Sequence, residues 1–362
     1  MNDNGARPVL IMAGGTGGHV FPALAVAERL RAREVPVLWL GTETGLEARV
    51  VPAAGIDMEW LAVSGIRGKG AFGWIKAPFM VLRALGQALA VFRRHRPRVV
   101  LGMGGYVSGP GALAARLTGT PLIIHEQNAV PGMTNRQLLR FANRVVTGFD
   151  AVFPEREDAV WVGNPVRAAI ARLPAPSMRS EQQQRRPRLL VVGGSQGARV
   201  LNEIVPAALQ CLPAGLRPEV RHQAGGSAFD VAQTAYREAG IEAEVEPFIE
   251  DMAQAYGWAD LAICRAGALT VAELAASGTP AVLVPFPHAV DDHQTANARH
   301  LVNRDAAVLC SQDQLTPERL AVVLEELLAD REHLLTMARN ARSMARPNAA
   351  EEVAEMCLEI AK

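Results

Sequence analysis

The chain has 362 residues, of which 49% are hydrophobic and 20% charged, so two or three domains can each bury a core. Lys plus Arg and Asp plus Glu both number 37, so no net positive charge attracts nucleic acid and no such partner is predicted. The four cysteines form no CxxC pair or Cys/His cluster, which argues against a disulfide framework or a structural zinc site. We find no signal peptide and no uncharged apolar run of about 18 residues. A cytosolic protein, or one that contacts a membrane from the cytosolic side, is therefore expected.

Strand-like apolar runs alternate with helix-like segments, which predicts an α/β fold with parallel sheets covered on both faces. The predicted strands are Val9–Met12, Val37–Leu40, Val99–Leu101, Leu122–Ile124, Leu189–Val192, Leu261–Cys264 and Ala281–Val284. Helices are predicted near Pro22–Ala32, from about Val200, and from Thr316 and Pro317, which are typical of a helix start. The polar, proline-containing segment 171–188 is predicted to be a linker.

Each half opens with a glycine-rich loop between a strand and a helix, GGTGG at Gly14–Gly18 and GGSQG at Gly193–Gly197. Backbone N–H groups in such a loop can approach a phosphate, although the glycines alone could simply form tight turns. Neither loop is GxGxxG, and no acidic residue ends the second strand, which counts against an NAD-dependent oxidoreductase. The repeated loop predicts twin Rossmann-like domains.

Polar residues follow three predicted strands of the first half. His19 comes directly after the first loop, where a histidine is a candidate general base or simply a hydrogen-bond donor to the loop backbone. The glycine cluster Gly102–Gly109 brings a tyrosine and a serine to the same sheet edge, and His125–Asn128 follows the next strand. Asn128 is a candidate ligand contact or a turn cap.

In the second half, Thr270 and Glu273 have the spacing of a capping box, but a carboxylate there could also bind a ribose diol. Gln294 and Asn297 follow the last strand and are candidate ligand contacts. The chain has no Asp-x-Asp motif, so we predict neither a metal site nor a cofactor, and helix N-termini would stabilise a departing diphosphate.

The stretch from Trp60 to His125 contains no Asp or Glu. It contains nine basic residues: Arg67, Lys69, Lys76, Arg83, Arg93, Arg94, Arg96, Arg98 and Arg116. Its apolar residues include Phe72, Trp74, Ile75, Phe79, Met80 and Phe92. Within this stretch, the basic and apolar segment 66–98 predicts contact with an anionic membrane surface. The alternative is that its apolar residues are the core-facing side of one ordinary helix.

Six motifs in this order, GGTGGHVFPALA, GMGGYVSGPG, HEQN, GNPVR, GGSQGAR and RAGALTVAE, resemble the MurG family of N-acetylglucosaminyltransferases. The resemblance covers about residue 8 to past residue 297 and implies a GT-B fold, two Rossmann-like domains facing each other across a cleft. It implies an acceptor and membrane-side domain at 7–166, a donor-binding domain at 167–344, and a final helix, about 345–362, packed on the first domain.

The family converts lipid I to lipid II in peptidoglycan synthesis. The resemblance therefore implies inverting transfer of GlcNAc from UDP-GlcNAc to the 4-hydroxyl of MurNAc in undecaprenyl-pyrophosphoryl-MurNAc-pentapeptide. It also implies a peripheral protein at the cytoplasmic face of the inner membrane, with cell-wall synthesis proteins as further partners. A non-hydrolysing UDP-sugar epimerase and a non-catalytic nucleotide-sugar binding protein are the alternatives.

The same resemblance implies residue roles. His19 would be the general base, with Glu126 as the second candidate. The substrate-binding residues would be Thr16, Gly17, Gly18, Asn128, Arg167, Ser195, Ile249, Ala268, Leu269, Thr270, Val271, Ala272, Glu273 and Gln294. Among them, Ile249 would flank the uracil, Glu273 would bind the ribose hydroxyls, and Gln294 would contact the sugar.

Overall fold

The chain divides into two compact α/β units. The computed structural model describes residues 7–63, 70–179, 185–194 and 197–361, except for the side chains of residues 70–78 and Val290. Unit 1 comprises Met1–Arg167 and Asn348–Lys362, and unit 2 comprises Ala168–Pro347.

Unit 1 is built on a parallel sheet. Its strands are β1 (Val9–Ala13), β2 (Val37–Gly41), β3 (Asp57–Trp60), β4 (Val99–Gly104), β5 (Leu122–Glu126), β6 (Arg144–Thr147) and β7 (Val160–Trp161). Its helices are α1 (Gly17–Ala32), α2 (Glu47–Ala53), α3 (Gly70–His95), α4 (Ser108–Thr118) and α5 (Met133–Leu138), with the last helix of the chain, Ala349–Ile360. Among the described residues, the strand order is β3-β2-β1-β4-β5-β6-β7. The order reverses direction between β1 and β4, and ligands bind at the carboxyl ends of strands at such a point.

The core of unit 1 lies on both faces of the sheet because every residue of β1 is buried. Alternate side chains of a strand point to opposite faces. Accordingly, Val9 and Ile11 join one hydrophobic cluster with residues of α1 and the C-terminal helix, while Leu10 and Met12 join another with residues of α3 and α4.

The C-terminal helix packs against α1 within unit 1. Its Val353, Ala354 and Cys357 are fully buried, and Arg33, the residue that follows α1, forms ion pairs with Glu351 and Glu355. The buried apolar face supplies most of the stabilisation, since exposed ion pairs contribute little.

Unit 2 repeats the architecture. Its strands are β8 (Arg188–Val192), β9 (Glu219–Gln223), β10 (Glu244–Glu246), β11 (Leu261–Cys264), β12 (Ala281–Leu283) and β13 (Ala307–Leu309). Its helices are α6 (Ala168–Ala171), α7 (Pro176–Arg179), α8 (Arg199–Cys211), α9 (Phe229–Glu238), α10 (Met252–Trp258), α11 (Ala268–Ser277), α12 (His293–Val302), α13 (Pro317–Ala329) and α14 (Arg331–Ser343). Within the part of the chain that the structure describes, the parallel strands follow the order β10-β9-β8-β11-β12-β13, which reverses between β8 and β11.

Part of the segment predicted to be a linker is structured. Residues 168–171 and 176–179 form α6 and α7, and Arg342 of α14 donates hydrogen bonds to the carbonyls of Ala171 and Leu173 at 3.3 and 3.2 Å. The prediction of a linker at 171–188 was therefore wrong for residue 171 and residues 176–179, because they are helical and α7 packs against α14. Residues 180–184 lie outside the described residues.

Candidate active site

The first glycine loop ends in a helix N-terminus. Thr16 is the extended N-cap of α1, which begins at Gly17, earlier than the position near Pro22 predicted from the sequence. Gly15 has a φ of +91°, which side-chain-bearing residues rarely adopt, and it lies at the surface together with Thr16. The backbone amides at the start of α1 can therefore face an anionic or polar ligand.

His19 lies between the first loop and the end of β4. Its Nδ1 is 3.3 Å from the carbonyl oxygen of Gly14. Gly104 has a φ of +102°, and a Cβ atom there would lie 2.8 Å from Cδ2 of His19. A Cβ atom at Gly105 would lie 2.5 Å from the carbonyl oxygen of Gly14. Gly104, the last residue of β4, therefore makes space for the imidazole ring, and Gly105 makes space for the first loop.

Glu126 organises the turn that follows β5. The carboxylate is 2% exposed and accepts hydrogen bonds from the amide and side chain of Asn128, the amide of Gly132 and the side chain of Asn135, at 2.8–3.2 Å. Four donors occupy the acceptor capacity of a carboxylate, which favours a structural role over that of a base. Asn128 thus takes part in this turn.

The other polar residues near the carboxyl ends of the unit 1 strands differ in exposure. His125 is fully buried, its Nε2 donates to the carbonyl of Gly163 over 3.0 Å, and burial lowers its pKa to about 4. Ser108 is also buried, whereas Tyr106 is 59% exposed. Arg167 stacks on the ring of Phe21 at 5.5 Å from the centroid. Of the tyrosine and serine predicted in the glycine cluster Gly102–Gly109, only Tyr106 is therefore at the surface.

The second glycine loop approaches the backbone after β9. Gly197 has a φ of +79°, and a Cβ atom there would lie 2.2 Å from the carbonyl oxygen of Ala224. Gly194 also has a positive φ, +82°. Helix α8 follows at Arg199, so this loop too leads to a helix N-terminus. Ser195, a predicted substrate contact, lies outside the described residues.

Glu273 lies inside α11 and not at its start. The N-cap is Gly267, and no side chain caps the helix, so the capping-box interpretation of Thr270 and Glu273 is wrong. Glu273 is 5% exposed and accepts a hydrogen bond from the hydroxyl of Tyr256 over 3.3 Å. Among the neighbouring predicted contacts, Ala268, Leu269 and Val271 are buried, while Thr270 and Ala272 are partly exposed.

Ile249 follows β10 and is buried, with 2% of its surface exposed. Its amide donates a hydrogen bond to Oε1 of Gln223, at the end of β9, over 3.1 Å. The Gln223 side chain thus holds the backbone of Ile249 at the carboxyl edge of the sheet.

A pocket of about 480 Å³ opens beside the second loop. Its lining residues are Gly193, Gly197, Ala198, Arg199, Val200, Glu203, Arg265, Phe286, Gln294 and Gln312. Oε1 of Gln294 accepts a hydrogen bond from the Phe286 amide over 2.9 Å, which orients its side chain at the pocket. Asn297, in contrast, is buried and donates to the carbonyl of Ala266.

Arg265 is a pocket residue that sequence reasoning did not single out. Its guanidinium donates to the carbonyls of Val284 and Pro285 and to Oε1 of Gln312, at 2.7–3.2 Å. Burial lowers its pKa from the ordinary arginine value. The available signal was its position, directly after β11, where the strand order reverses.

The described residues contain no group of three His, Cys, Asp or Glu side chains placed to hold a metal ion. In the same residues, no helix combines the length and hydrophobicity needed to cross a membrane.

Two Rossmann-like units, each with a glycine loop where its strand order reverses, are the architecture of the GT-B fold, which the chain shares with solved glycosyltransferases. Residues 9–147 match the glycosyltransferase family 28 N-terminal domain, and residues 188–353 match the family 28 C-terminal domain. The calicheamicin glycosyltransferase CalG4, 18% identical with a TM-score of 0.65, shares the fold.

Relatives that match nearly the whole chain identify the family within this larger group. The UDP-N-acetylglucosamine--N-acetylmuramyl-(pentapeptide) pyrophosphoryl-undecaprenol N-acetylglucosamine transferase of Alkalilimnicola ehrlichii is 64% identical over 98% of this chain and 99% of its own length. The transferase of the same name from Nitrosococcus oceani is 56% identical over 98% of each chain. The crystal structure of Acinetobacter baumannii MurG, 43% identical, covers 98% of this chain and 99% of its own, with a TM-score of 0.84. The chain belongs to the MurG family.

Proposed function

We propose that this chain transfers GlcNAc from UDP-GlcNAc to the 4-hydroxyl of MurNAc in undecaprenyl-pyrophosphoryl-MurNAc-pentapeptide, lipid I, forming lipid II and UDP. The observation that carries this proposal is the identity of 53–64% with curated transferases over 98–100% of the chain, which spans both units. Their shared name states this donor and acceptor. The family does not favour the epimerase or the binding-protein alternative.

In this scheme unit 2 holds the donor. Ile249 flanks the uracil, the backbone at Ala268, Leu269 and Thr270 approaches the uracil and phosphate, and Glu273 accepts hydrogen bonds from the ribose diol. The burial of Glu273 supports this role, because a desolvated carboxylate discriminates strongly between a hydroxyl and its absence. Gln294 contacts the sugar, and its place in the pocket beside the second loop supports that contact.

Charge that develops on the departing diphosphate is stabilised by the second loop, with Ser195, by the N-terminus of α8 and by the guanidinium of Arg265. Helix N-termini and preorganised cations stabilise such charge without reorganising during the reaction. The pocket lining, which contains both the loop glycines and Arg265, supports this role. No step requires a cofactor.

Unit 1 supplies the base. A carbonyl oxygen only accepts hydrogen bonds, so the contact with Gly14 favours the His19 tautomer with the proton on Nδ1, which leaves Nε2 unprotonated. Nε2 takes the proton of the acceptor hydroxyl as that oxygen attacks the anomeric carbon on the face opposite UDP. One displacement inverts the anomeric centre through an oxocarbenium-like transition state, as in inverting glycoside chemistry. Thr16, Gly17, Gly18, Asn128 and Arg167 contact the substrates, and Glu126 maintains the turn after β5.

The lipid-linked acceptor requires access to a membrane surface, for which α3 and α4 of unit 1 provide a candidate. These helices pack together, and Phe79, Leu82 and Leu117 are 75%, 65% and 61% exposed. Arg83 and Arg116 lie beside them in the chain and are exposed. Phe92 belongs to the core, as the alternative interpretation requires. The structure does not describe Arg67 and Lys69, nor the side chains of Phe72, Trp74, Ile75 and Lys76. Exposed apolar side chains among cations suit peripheral binding to an anionic leaflet, here the cytoplasmic face of the inner membrane.

The direct test is a transfer assay with labelled UDP-GlcNAc and a soluble lipid I analogue. We expect label in a disaccharide product, equimolar release of UDP, and neither product when the acceptor is omitted. UDP release or epimerised donor without the acceptor would support the epimerase instead. Tight donor binding without turnover would support the binding protein.

A further inference from the structure

The first glycine loop rests on a buried carboxylate. Glu47 is the first residue of α2 and has no exposed surface. Its Oε2 accepts a hydrogen bond from the Gly15 amide over 2.9 Å, and its Oε1 accepts from the amide and hydroxyl of Thr42 over 3.0 and 2.7 Å. These three donors offset the cost of removing the carboxylate from water.

The chain makes space for this carboxylate at three glycines. A Cβ atom would lie 2.6 Å from Oε1 of Glu47 at Gly14, 2.9 Å from its Cγ at Gly41, and 2.0 Å from its Oε2 at Gly45. None of the three has a positive φ. Their lack of a side chain is therefore explained by neighbouring side chains and not by backbone conformation: by Glu47 at Gly14 and Gly45, and by Met58 together with Glu47 at Gly41.

Glu47 and His19 bind opposite ends of one peptide group. The Gly15 N–H, which donates to Glu47, and the Gly14 carbonyl, which lies 3.3 Å from Nδ1 of His19, belong to the same planar amide. Fixing one end of the amide orients the other, and a hydrogen bond to its N–H polarises its carbonyl. A continuous chain of contacts therefore runs from the carboxylate through the peptide to the imidazole.

We propose that Glu47 is a positioning residue for the transfer reaction, acting through the Gly14–Gly15 peptide on His19. The carboxylate holds the amide so that its carbonyl keeps the proton on Nδ1 and orients Nε2 toward the acceptor hydroxyl. This inference rests on the proposed function of His19 as the base.

The test compares Glu47→Gln with Val51→Ala in the transfer assay. The Gly15 and Thr42 amides donate to different oxygens of Glu47, and glutamine carries an N–H donor in place of one of them, so one of the two hydrogen bonds is lost. We expect kcat to fall about 10- to 100-fold, as for a small misplacement of a catalytic group, with the donor KM nearly unchanged. The apparent pKa of the base in the pH–rate profile should fall, because a less polarised carbonyl stabilises the imidazolium less. Val51→Ala, a fully buried site one turn along α2, should lower the melting temperature without changing kcat.

A double-mutant cycle separates positioning from general destabilisation. If Glu47 acts through His19, Glu47→Gln should cost little in a His19→Ala background, since residues that act as a unit are not additive. Additive losses, an equal loss of kcat in Val51→Ala, or full activity of folded Glu47→Gln would overturn the proposal.

Gly45→Ala provides an independent variant should Glu47→Gln fail to fold, because its methyl group displaces the carboxylate without removing it. We expect the same loss of kcat, and wild-type turnover would overturn the proposal. A wild-type protein without any transfer activity would instead contradict the proposed function itself.

Discussion

The hydroxyl of Tyr256 donates a hydrogen bond to Oε2 of Glu273 over 3.3 Å, and both side chains are buried in unit 2. Because Gly267 is the N-cap of α11, the start of that helix does not need the Glu273 carboxylate. A buried carboxylate that loses a hydrogen bond is costly, so its partners can be tested by substitution.

Replacing Glu273 with Gln should raise the donor KM about 10- to 100-fold, the factor expected for losing a hydrogen bond to a charged group. The melting temperature should fall by only about 2–4 °C. Tyr256→Phe keeps the carboxylate and should have a smaller effect on donor binding. Steady-state kinetics at varied UDP-GlcNAc concentration and a thermal melt measure these two quantities. An unchanged KM with a lower melting temperature would show that the carboxylate is purely structural.

Replacing His19 with Ala should lower kcat about 10²- to 10⁴-fold, the contribution typical of a general base. Donor affinity should remain, since this scheme places the donor in unit 2. His333→Ala, an exposed histidine at the start of α14, serves as the control and should be fully active. Steady-state kinetics across pH check both variants, and near-normal turnover of His19→Ala would reject its role as the base.

Replacing Glu126 with Gln should destabilise the fold without removing the general base, which in this scheme is His19. An amide cannot accept all four hydrogen bonds that the carboxylate accepts from Asn128, Gly132 and Asn135. We expect the free energy of unfolding to fall by about 1–3 kcal/mol. The pH–rate profile of the remaining activity should keep the limb assigned to His19. Loss of that limb would make Glu126 the base.

Acid should destabilise unit 1 through His125. Burial lowers the pKa of His125 to about 4, below the value of about 6.5 for an unfolded chain, so between these pH values the unfolded state binds more protons. Stability therefore falls as the pH drops through this window, by about 2 kcal/mol at pH 5 from this group alone.

Denaturant titrations at several pH values measure this effect. His125→Gln should flatten the pH dependence of unit 1. His222 of unit 2, whose pKa burial lowers to about 3, provides the comparison. His222→Gln should flatten the pH dependence of unit 2 alone. A pH slope in His125→Gln equal to that of the wild type would contradict the assignment.

Replacing both Phe79 and Leu82 with Ser should weaken binding to vesicles that contain phosphatidylglycerol. Each apolar side chain contributes about 1.5–3 kcal/mol when buried, so we expect at least a tenfold loss. Arg83→Glu should also weaken binding, and added salt should reduce that difference. Val322→Ser, at a 56% exposed site in unit 2, is the control. Vesicle co-sedimentation, with phosphatidylcholine vesicles for comparison, measures the effect, and equal binding of all variants would exclude this surface.

Much of the secondary structure followed from local patterns. The strand predicted at Val9–Met12 lies within β1, and Leu261–Cys264 is β11 itself, because both are short apolar runs bounded by turns. Thr316 caps α13, and Pro317 is its first residue, as predicted. The start of α11 was missed because Gly267, and not a hydroxyl residue, is its N-cap.

The sequence by itself determined the two α/β halves, their glycine loops and, through its motifs, the MurG family. These features depend on residues adjacent in the chain or on the order of motifs along it. The tertiary structure alone decided which polar groups distant in the chain become partners. A hydrogen bond joins Gly15 and Glu47, which are 32 positions apart in the sequence. Another joins Arg265 and Gln312, which are 47 positions apart. Such contacts form only when the sheet has brought loops from different strands to one edge. No local sequence pattern predicts them.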